Sequence, residues 1–389
     1  MKRYILIHYG ELGLKRANRP LFVKKLITFL RDKLQQKFAK TFSVIETLER
    51  VLVKLPDGVD EQECMALVGR VFGIRNYALC WGGSLEIENL AEQIFEKLPE
   101  KGSGTFCVRV KRSQPHKYGS SEAEREIGSV LLEKGIDMDV KMKDPDMQID
   151  IEFFNDTGFF TFEKKDGAGG LPVNSAGKVL TLISAGFDSP VAAYRVMRRG
   201  ARSAFVSFHA YPYTDKVEQG QVKELVKILS DYQFDTRLLM VLLGKIQKEI
   251  SAHPKIPARY RTLLYRRLML RIASRLAYKE KAKALVTGDS LGQVASQTLE
   301  NIFAVDAVAE LPVYRPLISF DKEVIITEAK EIGTHDISAR PCKDTCAMFS
   351  SRKAEVRAND FDLSEFEKLL PMDEYLERAL SEVELIEFP

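Results

Sequence analysis

Three groups of residues in this 389-residue sequence could do chemistry. The first is Ser184-Ala185-Gly186-Phe187-Asp188-Ser189-Pro190, which follows the apolar run Val179-Leu180-Thr181-Leu182-Ile183 and precedes a helical pattern. A strand that ends in a turn of small and hydroxyl residues, then enters a helix, offers backbone N–H groups and a positive dipole end to phosphate. Ser184, Gly186 and Ser189 are therefore candidate phosphate contacts. The run lacks the lysine of a Walker A loop, so transfer of a terminal phosphate is not its natural chemistry. The same residue types also build ordinary helix-starting turns. The second group is Cys342 and Cys346 in RPCKDTCAMF. A cysteine thiolate is a nucleophile and a sulfur carrier. The C-x3-C spacing permits a disulfide only if the loop brings the sulfurs together, and a metal there would lack a third or fourth cysteine. The third group is basic: Lys15, Arg16, Asn18 and Arg19 in one cluster, and Lys111, Arg112, His116, Lys117 and Tyr118 in VKRSQPHKYG. Cations beside an aromatic suit the phosphates and exposed bases of RNA, and they suit a solvated loop as well.

The elements that must position these residues change character along the chain. Residues 1–60 predict a strand over Tyr4–His8, a basic helix near Leu21–Phe38 and short strands around Val44 and Val51, a small α+β unit. Residues 61–165 predict a second α+β unit, with strands near Phe106–Val110 and Ile149–Phe154 and a hairpin turn at Asn155-Asp156-Thr157-Gly158. The glycines and Pro172 of KKDGAGGLPVNSAGK lack apolar periodicity, which puts a linker at 166–174. From 175 to 389 strands alternate with helices: Val179–Ile183, Ala204–Phe208, Leu238–Leu242 and Ala284–Thr287, with helical stretches near Val191–Arg199, Val217–Tyr232 and Tyr260–Lys279. That alternation predicts an α/β fold, a parallel doubly wound sheet, with ligands beyond the carboxyl ends of the strands. Those ends carry Ser184-Ala185-Gly186, His209-Ala210-Tyr211 and Gly288-Asp289-Ser290.

Composition narrows the class. With 58 Lys+Arg, 55 Asp+Glu and 45% hydrophobic residues, the chain is neither disordered nor collagenous. Five scattered cysteines do not make a secreted disulfide scaffold. No apolar run reaches 18 residues and none resembles a signal segment, so a cytoplasmic protein with no membrane partner is expected. Charge is uneven. Residues 1–60 carry 13 Lys/Arg against 6 Asp/Glu, Arg259–Lys283 carries nine against one, and from Ala354 onward eleven acids face three bases. In the segment after Arg259, Leu264, Leu268, Ile272 and Leu276 form a buried-face stripe, while Arg267, Arg271 and Arg275 form a row at i,i+4. Like charges so spaced repel, so the row predicts an anion opposite it, either a polyanion or an acidic protein surface.

SAGFDS resembles the SGGxDS signature of PP-loop ATP pyrophosphatases, which split ATP between the α- and β-phosphates and adenylate a substrate. The stretches GELGLKRANR, FGIRNYALC, KDGAGGLPV, SAGFDSP, SFHAYPYT, YRRLMLRIA and GDSLGQVASQT, in that order, resemble the tRNA 4-thiouridine synthetase (tRNA sulfurtransferase) family over nearly the whole chain. The resemblance implies a ferredoxin-like domain at 1–60, an RNA-binding THUMP domain at 61–165 and an adenine nucleotide hydrolase-like PP-loop domain at 175–389. It places ATP on Leu182, Ile183, Ser207, Phe208, Arg266, Gly288 and Gln297, with Asp188 holding Mg²⁺ or orienting the phosphates. The departures are Ala185, where the family usually has Gly, and Ser207, where many relatives have His. A Cβ at 185 requires a turn without positive φ.

The resemblance also implies a reaction. Oxygen on uracil C4 is a poor leaving group until adenylation turns it into AMP, after which a persulfide sulfur at Cys346 can attack C4. The expected substrate is uridine 8 of tRNA, bound through Lys15, Arg19, Lys111, Arg112 and Lys117. Some relatives add a C-terminal rhodanese domain. Only 43 residues follow Cys346, so the expected sulfur source is a separate cysteine desulfurase or other persulfide donor. A sulfur-carrier protein of thiamine thiazole synthesis is a second expected acceptor, and a homodimer is the expected assembly. Two rival readings predict different products: another PP-loop tRNA-modifying ligase would alter the base elsewhere, and a non-catalytic RNA-binding protein would release no AMP. Cys64, Cys80 and Cys107 lie among apolar residues, where buried structural thiols are expected.

Overall fold

The computed structural model describes residues 1–99, 104–113, 117–214, 216–342, 349 and 353–389. These divide into two compact units, Met1–Pro172 and Val173–Pro389.

The first unit begins with β1 (Lys2–Tyr9), α1 (Arg19–Phe38), β2 (Ser43–Thr47) and β3 (Arg50–Lys54), followed by α2 (Glu61–Gly69) and β4 (Ile74–Gly83). Next come α3 (Ile87–Lys97), β5 (Thr105–Arg112), α4 (Ser120–Glu133), β6 (Asp139–Val140), β7 (Met147–Phe154), β8 (Thr157–Thr161) and β9 (Lys165–Asp166). Among the described residues the strands form one sheet in the order β2-β3-β1-β4-β8-β7-β5-β6, with β9 on β4. On α1, Val23, Leu26, Leu30 and Leu34 recur at helical spacing and are fully buried with Ile5, Ile7, Val51 and Val53 of the sheet. α3 and α4 bury Leu90, Ile94, Ile127 and Leu131 against Val108, Val110, Ile149 and Ile151. The expected hairpin joins β7 to β8, with Phe154 opposite Thr157. Its two-residue loop, Asn155-Asp156, has φ of 49° and 53°, the left-handed pair of a type I′ turn that these side chains tolerate. The glycine-rich stretch lies along this unit as an extended strap: Gly167 N–H donates to Arg75 O at 2.8 Å and Gly169 N–H to Ile74 O at 2.8 Å. Gly169 and Gly170 sit at φ of 65° and 74°, where a Cβ would be strained.

The second unit contains β10 (Lys178–Leu182), α5 (Asp188–Arg198), β11 (Arg202–His209), α6 (Val217–Ser230), β12 (Thr236–Leu242), α7 (Gly244–Ala252) and α8 (Arg261–Lys279). It continues with β13 (Leu285–Val286), α9 (Leu299–Asp306), β14 (Val313–Tyr314), α10 (Lys322–Glu331), α11 (His335–Ser338), α12 (Asp360–Glu367), α13 (Met372–Ser381) and β15 (Glu384–Phe388). The sheet order among the described residues is β14-β13-β10-β11-β12-β15. All neighbours are parallel except β15, which runs antiparallel to β12. The acidic end of the chain, helical by pattern, thus finishes as an edge strand. From β10 the chain moves outward through β11 and β12, then returns through α8 to place β13 on the other side of β10. The gap beyond β10 and β13 is the topological switch point, where open α/β sheets bind ligands.

α8 spans the core, with Leu264, Leu268, Ile272 and Leu276 each at most 3% exposed. Its arginine row meets protein. Arg267 and Arg271 bond to Glu367 on α12 at 2.8 and 2.9 Å, and Arg275 pairs with Glu310 at 3.5 Å. Of the two anions the spacing allowed, acidic side chains of the protein are the ones that meet this row.

Candidate active site

A cavity of about 420 Å³ opens at the switch point. The turn Ser184-Ala185-Gly186 forms one wall, and none of its residues has positive φ, so Ala185 fits with its side chain 3% exposed. The turn is braced from within. Ser184 N–H donates to Ser189 Oγ at 2.9 Å, the Ser184 and Ser189 hydroxyls are 3.1 Å apart, and Ser189 Oγ–H reaches back to Ser184 O at 3.2 Å. Ser189 is buried and serves the turn's shape, whereas Ser184 and Gly186 are exposed. Asp188 opens α5 and lines the same wall. One of its oxygens accepts from Lys322 Nζ at 2.6 Å, the other from Gln293 Nε2 at 3.1 Å.

The opposite wall comes from β13 and the turn after it. Asp289 is 4% exposed and accepts four hydrogen bonds. Oδ1 takes Arg266 Nη2 at 2.6 Å and Gln297 Nε2 at 3.0 Å; Oδ2 takes Thr287 Oγ1 at 2.8 Å and Arg315 Nε at 3.2 Å. Burial alone would raise its pKa, but Arg266, Arg315 and the Thr287 hydroxyl hold the carboxyl well below the usual carboxylate range. Asp289 is thus a fixed anion that aims two guanidiniums, and Arg266 is held a second time by Ser296 Oγ at 3.0 Å. Gln297 keeps a buried carbonyl oxygen with no protein donor, an acceptor suited to a ligand N–H or O–H.

Leu182, Ile183, Phe208, Met269 and Leu270 give the cavity an apolar end fit for a purine. The structure therefore gathers Leu182, Ile183, Ser184, Gly186, Asp188, Ser189, Phe208, Arg266, Gly288 and Gln297 around one space. Ser207, next to Phe208 on β11, is buried and not among the lining residues; neighbours on a strand point to opposite faces. Gly288 lines the cavity and is also required by packing. A Cβ on it would meet Ser189 N at 2.7 Å and the Asp188 carbonyl carbon at 2.8 Å, so the glycine lets the end of β13 pack on the start of α5. Cys342 is exposed and lines the cavity as well. Cys346 lies outside the described residues, as does His116.

Sequence reasoning missed Lys322, Gln293 and Arg315, and it put Asp289 at a ligand-facing strand end without giving it a role. Asp289 and Gln293 stand inside GDSLGQVASQT, so a signal was there. Lys322 had none: it begins an ordinary helix 134 positions from Asp188.

In the first unit, Lys111, Arg112 and Lys117 are exposed at or just beyond the end of β5. Arg112 is braced on Ser120 Oγ and Tyr118 O at 3.2 and 2.9 Å, and Lys117 lies over the Tyr118 ring. Lys15 lies over Phe22, 3.8 Å from Glu11. Arg19 pairs with Glu49 and Glu46 at 2.7 and 3.2 Å. Cys64, Cys80 and Cys107 are buried, and burial first of all pushes their thiols up, Cys64 to about 12. They are structural thiols.

Comparison with known proteins matches this arrangement along its length. Residues 174–371 fit the family model described as thiamine biosynthesis protein (ThiI), residues 4–78 its ferredoxin-like domain and residues 85–162 the THUMP domain. The probable tRNA sulfurtransferase of Bacillus licheniformis is 37% identical over 98% of this chain and 95% of its own length. That of Caldanaerobacter subterraneus is 35% identical over 98% and 99%. A crystal structure of a 4-thiouridine synthetase–RNA complex with bound ATP superposes with a TM-score of 0.89 at 30% identity, covering all of both chains. With a phosphate-type turn at a switch point, two guanidiniums aimed by a buried carboxylate, and relatives alike from end to end, this chain belongs to the ThiI family of tRNA sulfurtransferases.

Proposed function

We propose that this protein is an ATP-dependent tRNA sulfurtransferase that converts uridine 8 of tRNA to 4-thiouridine. The observation that carries the reading is the end-to-end likeness to a 4-thiouridine synthetase solved with RNA and ATP, in a chain whose cavity joins an apolar slot to a phosphate-type turn.

ATP enters with its adenine between Leu182, Phe208 and Met269 and its phosphates on the N–H groups of Ala185 and Gly186 and the Ser184 hydroxyl. Arg266 and Lys322 balance the phosphate charge and stabilise what develops as the uracil C4 oxygen attacks the α-phosphate and pyrophosphate departs. Lys322 can exchange Asp188 for a phosphate oxygen, which frees the carboxylate. Among the described residues no group of three metal-ligating side chains occurs. One carboxylate beside a triphosphate still fits Mg²⁺, which takes most of its ligands from phosphate and water. Asp188 would hold that ion, and the ion would supply charge neutralisation at the phosphates.

Sulfur follows. The outer sulfur of a persulfide on Cys346 attacks C4, the C4–O bond breaks, and AMP leaves; a second thiol then attacks the Cys346 sulfur, forming a disulfide with it and releasing the thiolated base, and an external thiol reductant reduces that disulfide for the next turnover. The persulfide comes from a cysteine desulfurase or other persulfide donor. Exposed Lys111, Arg112 and Lys117 engage RNA phosphates, with Lys15 and Arg19 as a second contact. Transfer to a sulfur-carrier protein for thiamine thiazole synthesis, and assembly as a homodimer, are parts of the same proposal. No helix among the described residues is long and apolar enough to cross a membrane.

The test is incubation with unmodified tRNA, Mg-ATP, cysteine and a cysteine desulfurase, with nucleosides read by mass spectrometry. ATP-dependent 4-thiouridine is expected. AMP release without it would indicate another acceptor atom, and release of neither would end the catalytic reading.

A further inference from the structure

The acid-rich end of the chain has no part in the reaction above. Its helix α12 meets α8 through the guanidiniums of Arg267 and Arg271, both on Glu367, and the buried one is Arg267. Arg267 is 2% exposed, and all five of its N–H groups have acceptors. Nε and Nη2 hold the two oxygens of Glu367 at 3.0 and 2.8 Å. Nη1 holds Asp360 Oδ1 at 2.6 Å and Ala304 O at 2.7 Å, and Nη2 also holds Ser364 Oγ at 3.1 Å.

One residue earlier on the same helix, Arg266 faces the cavity and reaches Asp289 and Ser296. Consecutive helical residues are turned by about 100°, so any roll or slide of α8 that changes the seat of Arg267 also moves Arg266. α9 closes the circuit. Ala304 accepts from Arg267, and Asp306, two residues on, holds Arg315 at 2.7 and 2.6 Å, whose Nε reaches Asp289. The acidic end is fastened to α9 a second time by Asn301, fully buried, whose Nδ2 donates to Glu355 O and Ala295 O and whose Oδ1 accepts from Ala358 N–H. Ala295 immediately precedes Ser296 and Gln297 of the cavity.

We propose that Glu367 is a positioning residue for the nucleotide reaction: through Arg267 it fixes the seat of α8 and so holds the Arg266 guanidinium at the cavity wall. This rests on the nucleotide reading of that cavity. Glu367 touches no reacting atom. Removing its charge leaves Arg267 buried and short of a partner, and α8 relieves this by shifting.

The test uses the full-length protein with saturating unmodified tRNA, following AMP release against ATP concentration, each variant assayed at least about 15 °C below its own Tm. Glu367→Gln should raise KM for ATP about tenfold or more while kcat changes less than about threefold and tRNA affinity stays unchanged. The double variant Arg267→Met/Glu367→Leu fills the space without charges; it should recover Tm but keep the raised KM. A residue that only stabilises would lower Tm and leave KM unchanged. A wild-type KM in Glu367→Gln, or a double variant whose KM returns together with its Tm, overturns the positioning role. A wild-type protein that releases no AMP overturns the nucleotide reading itself.

Discussion

Asp289→Asn should disable the cavity without changing its shape. Asp289 is 4% exposed and accepts from Arg266 and Gln297 on one oxygen, from Arg315 and Thr287 on the other. An asparagine keeps one acceptor oxygen but puts an NH₂ group where the other accepted, so a donor faces donors and two guanidiniums lose their anion. Breaking a buried ion pair on one side costs about 3–5 kcal/mol. For a unit of this size each kcal/mol lowers Tm by roughly 2–4 °C, so the transition of the second unit should fall by about 6–20 °C. Arg266 loses its shortest hydrogen bond, a charge-assisted contact worth about 1.5–3 kcal/mol, so KM for ATP should rise roughly ten- to a hundredfold. The pH dependence has a definite sign. The folded-state pKa lies below the ordinary 3.8, so the stability from Asp289 is fully present above pH 3.8 and is lost as pH falls through the folded value. The gap between wild type and variant should be constant from pH 5 to 8 and close only in strong acid. Calorimetry across pH, with ATP titrations of AMP release at pH 7.5, reads all three. A variant with wild-type Tm and KM would refute the view that Asp289 is the anchor of the site.

Asp188→Asn should lose ATP–pyrophosphate exchange while keeping tRNA binding; exchange at the wild-type rate would remove Asp188 from the chemistry. Cys346→Ala should abolish 4-thiouridine formation and leave AMP release intact, and equal thiolation by the variant would end the persulfide relay. Reversing Lys111, Arg112 and Lys117 to Glu should weaken tRNA binding and flatten its salt dependence, since each lost phosphate contact lowers the slope by about 0.7–0.9; an unchanged slope would clear these residues of RNA contact. Glu152, 2% exposed, would titrate high from burial, but His8 and Arg50 bring it from 4.5 down to about 2. At about 1.4 kcal/mol per tenfold change in proton affinity this is about 3 kcal/mol for the first unit, present above pH 4.5 and lost as pH falls toward 2. Melts of Glu152→Gln should show a deficit that closes over that range, and a deficit independent of pH would refute the assignment.

Much of the architecture was legible because it is local. Short apolar runs alternating with helical stretches give β10, α5, β11, α6, β12 and α8 in order, without α7, and the Asn155-Asp156 turn declares the β7–β8 hairpin through side chains that tolerate positive φ. The turn between β2 and β3 was not legible in this way: Leu48 and Glu49 hold φ of 43° and 67° there, residue types that avoid that region alone, so strand pairing sets them. β15 was not legible, because an acidic segment with scattered apolar residues fits either period until an edge strand is there to pair with.

The cavity divides along the same line. The phosphate-type turn could be read because a strand, a small-residue turn and a helix start are contiguous in sequence, and the resemblance added Arg266, Gly288 and Gln297 from motifs farther along. The sequence by itself determined which residue types reach the strand ends. Only the tertiary structure decided that Lys322, 134 positions away, meets Asp188, that Asp289 aims Arg266 and Arg315, that Gly288 yields its space to α5, and that Arg267 and Arg271 of α8 face Glu367 near the chain's own end. Charge in a sequence states a demand for a partner, since ion pairing acts over a few ångströms of space and is indifferent to separation along the chain. Which partner answers is fixed by packing.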